Sequence, residues 1–262
     1  MSPRFKEGDR VFFPSRLLPS PDQQPHALTE AKVTATLERS IRVDRQNEDG
    51  EDLTVATRLV HGENLGITIF EIGDLETETS TLDPLTKSVL QYLRLLSEDG
   101  LLRKFKIRTT SELSRIWATY EVATSHVILI GHGSSDSIHF VDEEDPVTGK
   151  QFARLLEKAA KTTKPKTFIS LSCQTGRHSF ASAFSKSDVC RDYMAPFQSV
   201  HSAAASLYAQ SFFSHHLLSG EGITASHRKA RQAVGDGVSF RRWRDGVMVR
   251  QTKKASESGM AD

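Results

Sequence analysis

The chain contains little cysteine and no long apolar run. Its 262 residues include only two cysteines, Cys173 and Cys190, which is too few for a disulfide scaffold and typical of a reducing compartment. No apolar stretch reaches the length of a membrane span. The first ten residues also lack the apolar segment of a signal peptide. We therefore expect a cytoplasmic protein with free thiols and no membrane partner.

The chain also lacks an excess of charge of one sign. The counts of 34 Lys and Arg and 33 Asp and Glu give a formal net charge of +1. A protein balanced in this way is a poor electrostatic match for nucleic acid as a whole. Basic runs at 227–231 and 241–244 could contact phosphates, but such runs more often form a solvated helix face or a charged edge. We expect no nucleic-acid partner, and we interpret the acidic run 142–145 as an exposed loop.

Metal-binding patterns are absent as well. The sequence contains no Cys-x2-Cys and no His-x3-His spacing. Five histidines of the carboxyl-terminal half are scattered: His178, His201, His215, His216 and His227. Two of them are adjacent and would point to different sides of a helix. We expect neither a metal nor a cofactor.

Residues 1–62 are rich in short β patterns. Apolar or alternating segments separated by polar turns occur at 10–13, 31–37, 41–44 and 53–56. Several short strands of this kind predict a small barrel or curled sheet. The opening Gly-Asp-Arg-Val-Phe-Phe-Pro at 8–14 resembles the start of an SH3- or Tudor-like barrel. We therefore expect a small β-rich N-terminal domain over 1–62.

From residue 63 onward strand and helix patterns alternate. Thr148 and Gln151 have the spacing of a capping box, which marks a helix start. Strands are predicted at 67–72, 105–108, 127–130, 168–171, 196–200 and 246–249, and helices at 84–99, 111–120, 149–160, 202–218 and 224–234. This alternation predicts an α/β layer fold with a mostly parallel sheet flanked by helices over 63–250. The polar tail 251–262 is expected to be disordered.

Reactive residues follow two of the predicted strands directly. His132 and Gly133 come after the apolar run 127–130, and Cys173 comes after the run 168–171. Unbroken apolar runs are typical of strands buried in parallel sheets, and such sheets bind ligands at the carboxyl ends of their strands. A right-handed crossover would bring both ends to one edge. The sequence therefore predicts that His132 and Cys173 converge.

These residue types suit acyl transfer. A cysteine becomes a strong nucleophile as the thiolate, which a nearby imidazole promotes. His132 would act as general base and then as general acid. The backbone N–H groups of Gly133 and Cys173 would form the oxyanion hole, and Gly176 would allow a tight turn. We interpret Cys190 as incidental, because no His-Gly pair accompanies it.

This arrangement resembles the caspase-like peptidase clan, in which one strand ends in His-Gly and another in Ala-Cys or Ser-Cys. Within it, Leu-Ser-Cys-Gln-Thr-Gly at 171–176 is most similar to CHAT-domain proteases, as are the helical segments from His201 to 234. The resemblance covers about 66–250. It implies a caspase-like fold, a protein substrate and a bacterial antiviral-defence or cell-death protease switched on by a companion protein. Thr175 departs from the strict caspase signature, so aspartate specificity is not expected.

Other readings remain beside this one. Ser134 and Ser135 suggest a serine hydrolase, but no Gly-x-Ser-x-Gly elbow is present. A phosphatase loop would need arginine where Ser179 stands, and papain-like enzymes place cysteine before histidine. The segment 177–201 is shorter than in many CHAT proteins. The chain could therefore be a catalytically silent scaffold that recognises a partner through its N-terminal barrel. A third hypothesis is that this barrel binds nucleic acid, which its near balance of charges disfavours.

Overall fold

An antiparallel sheet forms the amino-terminal part of the protein. The computed structural model describes residues 5–62, 64–74, 80, 82–161, 164–235 and 237–249. Five strands pair in the order β4-β3-β2-β1-β5: β1 (Arg10–Pro14), β2 (Leu28–Thr36), β3 (Ser40–Gln46), β4 (Asp52–Ala56) and β5 (His61–Gly62). Buried Ile41 and Val43 alternate with exposed residues along β3, so one face of the sheet covers an apolar core. The predicted β-rich segment is confirmed at this level.

A seven-stranded mixed sheet follows. It is ordered β14-β13-β12-β11-β8-β6-β7, and a separate two-stranded hairpin pairs β9 with β10. In chain order the strands are β6 (Gly66–Ile72), β7 (Leu102–Ile107), β8 (Thr124–Gly131), β9 (Ser137–Ile138), β10 (Val147–Thr148), β11 (Lys166–Ser170), β12 (Cys190–Pro196), β13 (Phe240–Arg244) and β14 (Val247–Met248). Five neighbouring strands of this sheet, β7, β6, β8, β11 and β12, are parallel. The last two are antiparallel, so the sheet is mixed.

Helices cover both faces of this sheet. They are α1 (Leu82–Leu96), α2 (Thr110–Tyr120), α3 (Gly149–Ala159), α4 (His178–Ser185), α5 (Ser202–Phe213) and α6 (Ile223–Val234), and a π-helical turn, Ser214–Leu218, extends α5. Thr148 caps α3 through the predicted capping box with Gln151. Among the described residues, none of the helices combines the length and apolar character that a bilayer crossing requires.

The central strands are buried because each face of the sheet has its own apolar core. Ile128 and Ile130 of β8 pack with α1, α5 and α6 on one face. Val127 and Leu129, which point the other way, pack with α2, α3 and α4. Side chains alternate along a strand, so apolar residues are needed on both faces at 127–130 of β8. This explains the unbroken apolar run.

The predictions for the segment between Cys173 and α5 need correction. The strand expected at 196–200 is instead β12, Cys190–Pro196, and the helix α4 was not predicted. The basic run 241–244 is not a solvated edge but lies in β13, where Arg242 is only 4% exposed. Asp192 in β12 and Arg242 in β13 are charged, so neither strand has the apolar pattern that predicts a buried strand. The two charges are accepted in the sheet because they form an ion pair. The predicted tail 251–262 lies outside the described residues.

The two sheets are joined by polar contacts as well as by chain connectivity. Arg16 Nη2 donates to the carbonyl of Leu218 at 2.7 Å, and His61 Nε2 lies 3.1 Å from the carbonyl of Leu217. The N–H of Ala27 donates to the carbonyl of Leu95 at 2.9 Å. The N-terminal sheet therefore contacts the end of α1 and the π-helical turn after α5.

Candidate active site

Neighbouring parallel strands carry the two predicted reactive residues. β8 and β11 pair with Thr167 opposite His126 and Ser170 opposite Leu129, which is an offset of 41 residues. The pairing continues past the strand, because the N–H of Leu171 donates to the carbonyl of Leu129 at 2.8 Å. The same offset separates His132 from Cys173. The register therefore places His132 and Cys173 each three residues beyond the last paired residues of neighbouring strands, at the same end of the sheet.

A tight loop presents His132. The N–H of His139 donates to the carbonyl of His132 at 3.0 Å, and the N–H of Ser134 donates to the carbonyl of Ser137 at 2.9 Å. The Ser134 hydroxyl donates to Asp136 at 2.7 Å. Hydrogen bonds from Ser134 and Ser137 hold the pKa of Asp136 below its usual range. Ser134 is thus engaged in holding the loop, which disfavours a role as nucleophile.

The loop after His132 touches the loop that carries Cys173. A Cβ placed on Gly133 would lie 2.7 Å from Thr175 Cγ2 and 2.8 Å from the carbonyl oxygen of Cys173. Real Cβ atoms essentially never approach so closely, so the position accepts only glycine without rearrangement. The two loops are therefore in direct contact at Gly133.

Hydroxyl groups stabilise the loop that carries Cys173. Ser170 Oγ and Thr175 Oγ1 are 2.8 Å apart, and Thr175 Oγ1 donates to the carbonyl of Ser172 at 2.9 Å. The N–H of Ser172 donates to Ser170 Oγ at 3.2 Å. Thr175, which departs from the caspase signature, thus has a structural part in fixing the turn.

Backbone strain follows immediately after Cys173. Gln174 has φ of +60°, in the left-handed region that residues other than glycine rarely occupy. The turn is held against the next strand, because the N–H of Gly176 donates to the carbonyl of Pro196 at 2.9 Å. A Cβ on Gly176 would lie 2.4 Å from the carbonyl oxygen of Ala195. Strained residues held in this way cluster at functional sites.

The sulfur of Cys173 is half-buried and has a backbone donor beside it. The N–H of Val200 points to Cys173 Sγ at 3.5 Å, just before α5. A thiolate accepts such a bond more strongly than a thiol. The sequence gives no signal for this contact, since every non-proline residue carries an N–H.

Two backbone N–H groups of these loops have no partner among the described residues. Within the part of the chain that the structure describes, the N–H groups of Gly133 and Cys173 have no hydrogen-bond acceptor. Unpaired donors of this kind are what an oxyanion hole requires. They are the two donors that the sequence predicted.

The second cysteine lies at the other end of the sheet. Cys190 begins β12 opposite Lys166 at the start of β11, and it is only 4% exposed. Burial, reinforced by the negative charge of Asp192, raises its pKa well above the usual value. Cys190 therefore stays a thiol at neutral pH and packs as a small apolar side chain.

Two other histidines serve local roles. His201 Nδ1 accepts from the N–H of Ala203 at the start of α5, and His227 Nδ1 lies 2.6 Å from the hydroxyl of Tyr208. Over the residues described, no group of three or more His, Cys, Asp or Glu side chains could hold a metal ion.

A cysteine, an exposed histidine and two unpaired N–H groups at one sheet edge are suited to nucleophilic acyl transfer. No protein-family model matches this chain, and a search among curated proteins finds no match.

Proposed function

We propose that the protein is a cysteine endopeptidase of the caspase-like, CHAT-domain type, with His132 and Cys173 as its catalytic pair. The observation that carries the proposal is the parallel pairing of β8 and β11, which ends at Leu129 and Ser170, three residues before His132 and Cys173 respectively. The free N–H groups of Gly133 and Cys173 add support. No cofactor takes part.

The reaction follows from these positions. His132 takes the proton from Cys173 Sγ, and the thiolate attacks the scissile carbonyl carbon. A C–S bond forms, and the N–H groups of Gly133 and Cys173 donate to the oxyanion. His132 then gives the proton to the leaving amine as the C–N bond breaks. Water, deprotonated by His132, hydrolyses the thioester and releases the carboxylic acid and the free thiol.

The fold of the amino-terminal part supports a second element of the proposal. Its strand order β4-β3-β2-β1-β5, with a 3-10 turn at Thr57–Leu59 before the last strand, suits an SH3-like barrel. We propose that residues 1–62 form such a domain, which recognises an activating or companion protein, and that residues 63–250 form the peptidase domain. A bacterial defence or cell-death role would follow from regulated cleavage of a protein substrate.

The test is peptide cleavage by the full-length chain. A proteome-derived peptide library is incubated with wild type, Cys173→Ala, His132→Ala and the matched control Cys190→Ala, and new amino termini are identified by mass spectrometry. We expect cleavage by wild type and by the control, and at least a 1,000-fold loss of rate in both site variants, on the order seen when a catalytic nucleophile or base is removed. Full activity of Cys173→Ala would refute the proposal.

The alternative, a catalytically silent scaffold, is separated by covalent labelling. A peptidyl acyloxymethyl ketone reacts only with a cysteine that the site activates, so the endopeptidase predicts labelling of Cys173 that His132→Ala abolishes. The scaffold predicts no labelling of either cysteine. The half-buried position of Cys173, with the Val200 N–H at its sulfur, favours the enzyme.

A further inference from the structure

A cavity lies at the opposite edge of the seven-stranded sheet from Cys173. Its volume is about 670 Å³, which is within the range of small-molecule sites. Ser125 and His126, near the start of β8, and Arg191, near the start of β12, form its floor. Residues between Arg58 and Gly62, together with Asn64 and Leu65, also line it, as do residues 220–224 at the start of α6.

Cationic side chains predominate in this cavity. Four arginines line it, whereas Glu221 is the single acidic side chain among its described lining residues. The arginines are Arg58, Arg191, Arg242 and Arg244. Glu221 pairs with Lys229 outside the cavity. A surplus of positive charge therefore remains inside it.

Asp192 balances only part of this charge. Its Oδ1 lies 2.7 Å from Arg242 Nη2, and its Oδ2 lies 2.9 Å from Arg244 Nη2. Arg191 is 3.6 Å from the same carboxylate and is about half exposed. One carboxylate thus faces three guanidinium groups, and guanidinium groups without a full set of partners bind phosphate well.

Arg58 is the cation that the N-terminal part contributes. Its side chain is exposed and makes no hydrogen bond or ion pair with any residue that the structure describes. The turn that carries it is held in place by Gly220, which has φ of +66° and whose Cβ would lie 2.5 Å from Leu59 Cδ2. Arg58 therefore faces the cavity from a fixed turn without a protein partner.

A buried histidine on the floor has an unused nitrogen. His126 is 4% exposed, and within the described chain its Nε2 has no hydrogen-bond partner. Its Nδ1 lies 2.7 Å from Ser125 Oγ. Burial, together with the nearby His216 and Arg191, lowers its pKa well below the usual value. A buried polar atom without a partner in the protein is unusual, and this one is available to hydrogen-bond a molecule that enters the cavity.

The start of α6 adds backbone donors. Gly222 occupies the N-cap and no side chain caps the helix, while Gly222, Ile223 and Thr224 all line the cavity. The first N–H groups of a helix are unpaired and favour an anion.

We propose that this cavity binds a small phosphorylated molecule, either a nucleotide or inorganic pyrophosphate, through Arg58, Arg191 and the start of α6. Bidentate guanidinium contacts and helix N–H groups are the ligands that phosphate oxygens favour. Arg58 lies in the turn between β4 and β5 of the N-terminal sheet, and Arg191 lies in β12 of the seven-stranded sheet. An anion bound to both arginines therefore bridges the two sheets. The site is independent of Cys173.

Isothermal titration calorimetry on the full chain tests this binding. Sodium pyrophosphate, ATP and AMP are titrated at constant ionic strength into wild type, Arg58→Gln, Arg191→Gln and the matched control Arg39→Gln. Arg39 lies in an exposed turn of the N-terminal sheet, outside the cavity, and its loss changes the net charge equally. Circular dichroism and melting temperatures establish that each variant is folded.

We expect wild type and Arg39→Gln to bind a phosphate probe equally, and Arg58→Gln and Arg191→Gln to bind it about tenfold or more weakly, as expected for loss of one charge-assisted contact. Tighter binding of ATP than of pyrophosphate would identify the ligand as a nucleotide, and equal binding would identify the inorganic anion. Absence of binding by all three probes at about 1 mM, or equal binding by all variants, would overturn the proposal. The calorimetry measures binding alone, so its outcome does not depend on whether the protein is a peptidase.

Discussion

Gly133 lies directly against Cys173, so closely that a Cβ on the glycine would be 2.8 Å from the cysteine carbonyl oxygen. This contact connects the two loops that carry the predicted catalytic residues. It also makes the geometry of the site sensitive to any side chain added at Gly133.

The first prediction concerns this contact. Gly133→Ala should separate the two loops, because the new methyl group would also lie 2.7 Å from Thr175 Cγ2. We expect loss of peptide cleavage together with a destabilisation of about 1–3 kcal/mol, the usual result of overpacking. Urea denaturation measures the stability. Gly100→Ala is the control, since no atom lies within 4 Å of a Cβ at Gly100; equal effects of both changes would contradict the prediction.

The second prediction concerns the two thiols. Cys173 is half-buried with the Val200 N–H at its sulfur, whereas burial raises the pKa of Cys190. Iodoacetamide at neutral pH should therefore alkylate Cys173 at least about 100-fold faster than Cys190, because the thiolate is the reacting form. Peptide mapping by mass spectrometry reads both rates in one sample. Urea should equalise them, and equal rates in the native protein would show that Cys173 is not activated.

The third prediction concerns a buried ion pair. Asp192 is fully buried and accepts hydrogen bonds from Arg242 and Arg244. Asp192→Asn should leave the buried Arg242 cation without its counter-charge and destabilise the fold by about 3–5 kcal/mol. Asp142→Asn breaks the exposed pair with Arg108, which is 3.3 Å long, and should cost less than about 1 kcal/mol.

Chemical denaturation of both variants at neutral pH makes this comparison. The described contacts of Asp192 are inside the sheet, whereas both partners of the exposed pair are about half solvent-accessible. If both variants lost a similar amount of unfolding free energy, the buried ion pair of Asp192 would contribute no more to stability than the exposed pair, contrary to the prediction.

The fourth prediction concerns acid sensitivity. Burial lowers the pKa of His227 to about 3, with positive Arg231 and Arg242 contributing. In the unfolded chain the same histidine has a pKa near 6.5. Between about pH 3 and pH 6.5 the unfolded state therefore binds more protons than the folded state. Stability from this residue is therefore full above pH 6.5 and falls as the pH decreases, by at most about 1.4 kcal/mol per pH unit.

Urea unfolding at about pH 7.5 and about pH 5 tests this linkage. We expect His227→Gln to lose less stability between the two conditions than wild type does. The exposed His139 serves as the control, and His139→Gln should match wild type. An unchanged pH dependence in His227→Gln would argue that this histidine is already protonated in the folded protein.

Much of the fold was predictable because local patterns carry it. The unbroken run at 127–130 predicted a strand buried on both faces, and Thr148 with Gln151 predicted the start of α3. The strand β12 escaped prediction because Arg191 and Asp192 interrupt its apolar pattern. The buried charge of Asp192 is tolerated there because it pairs with arginines of β13, and that pairing is not visible from either segment alone.

The sequence alone determined that His132 and Cys173 follow two buried strands, because local periodicity specifies those strands, and it predicted these two residues as the catalytic pair. Only the tertiary structure decided that β8 and β11 are neighbours whose pairing ends at Leu129 and Ser170, each three residues before a candidate residue. It also brought Val200 to the sulfur and Arg58 to a cavity with Arg191. These contacts join residues far apart in the chain, so they depend on packing of whole elements rather than on any local pattern.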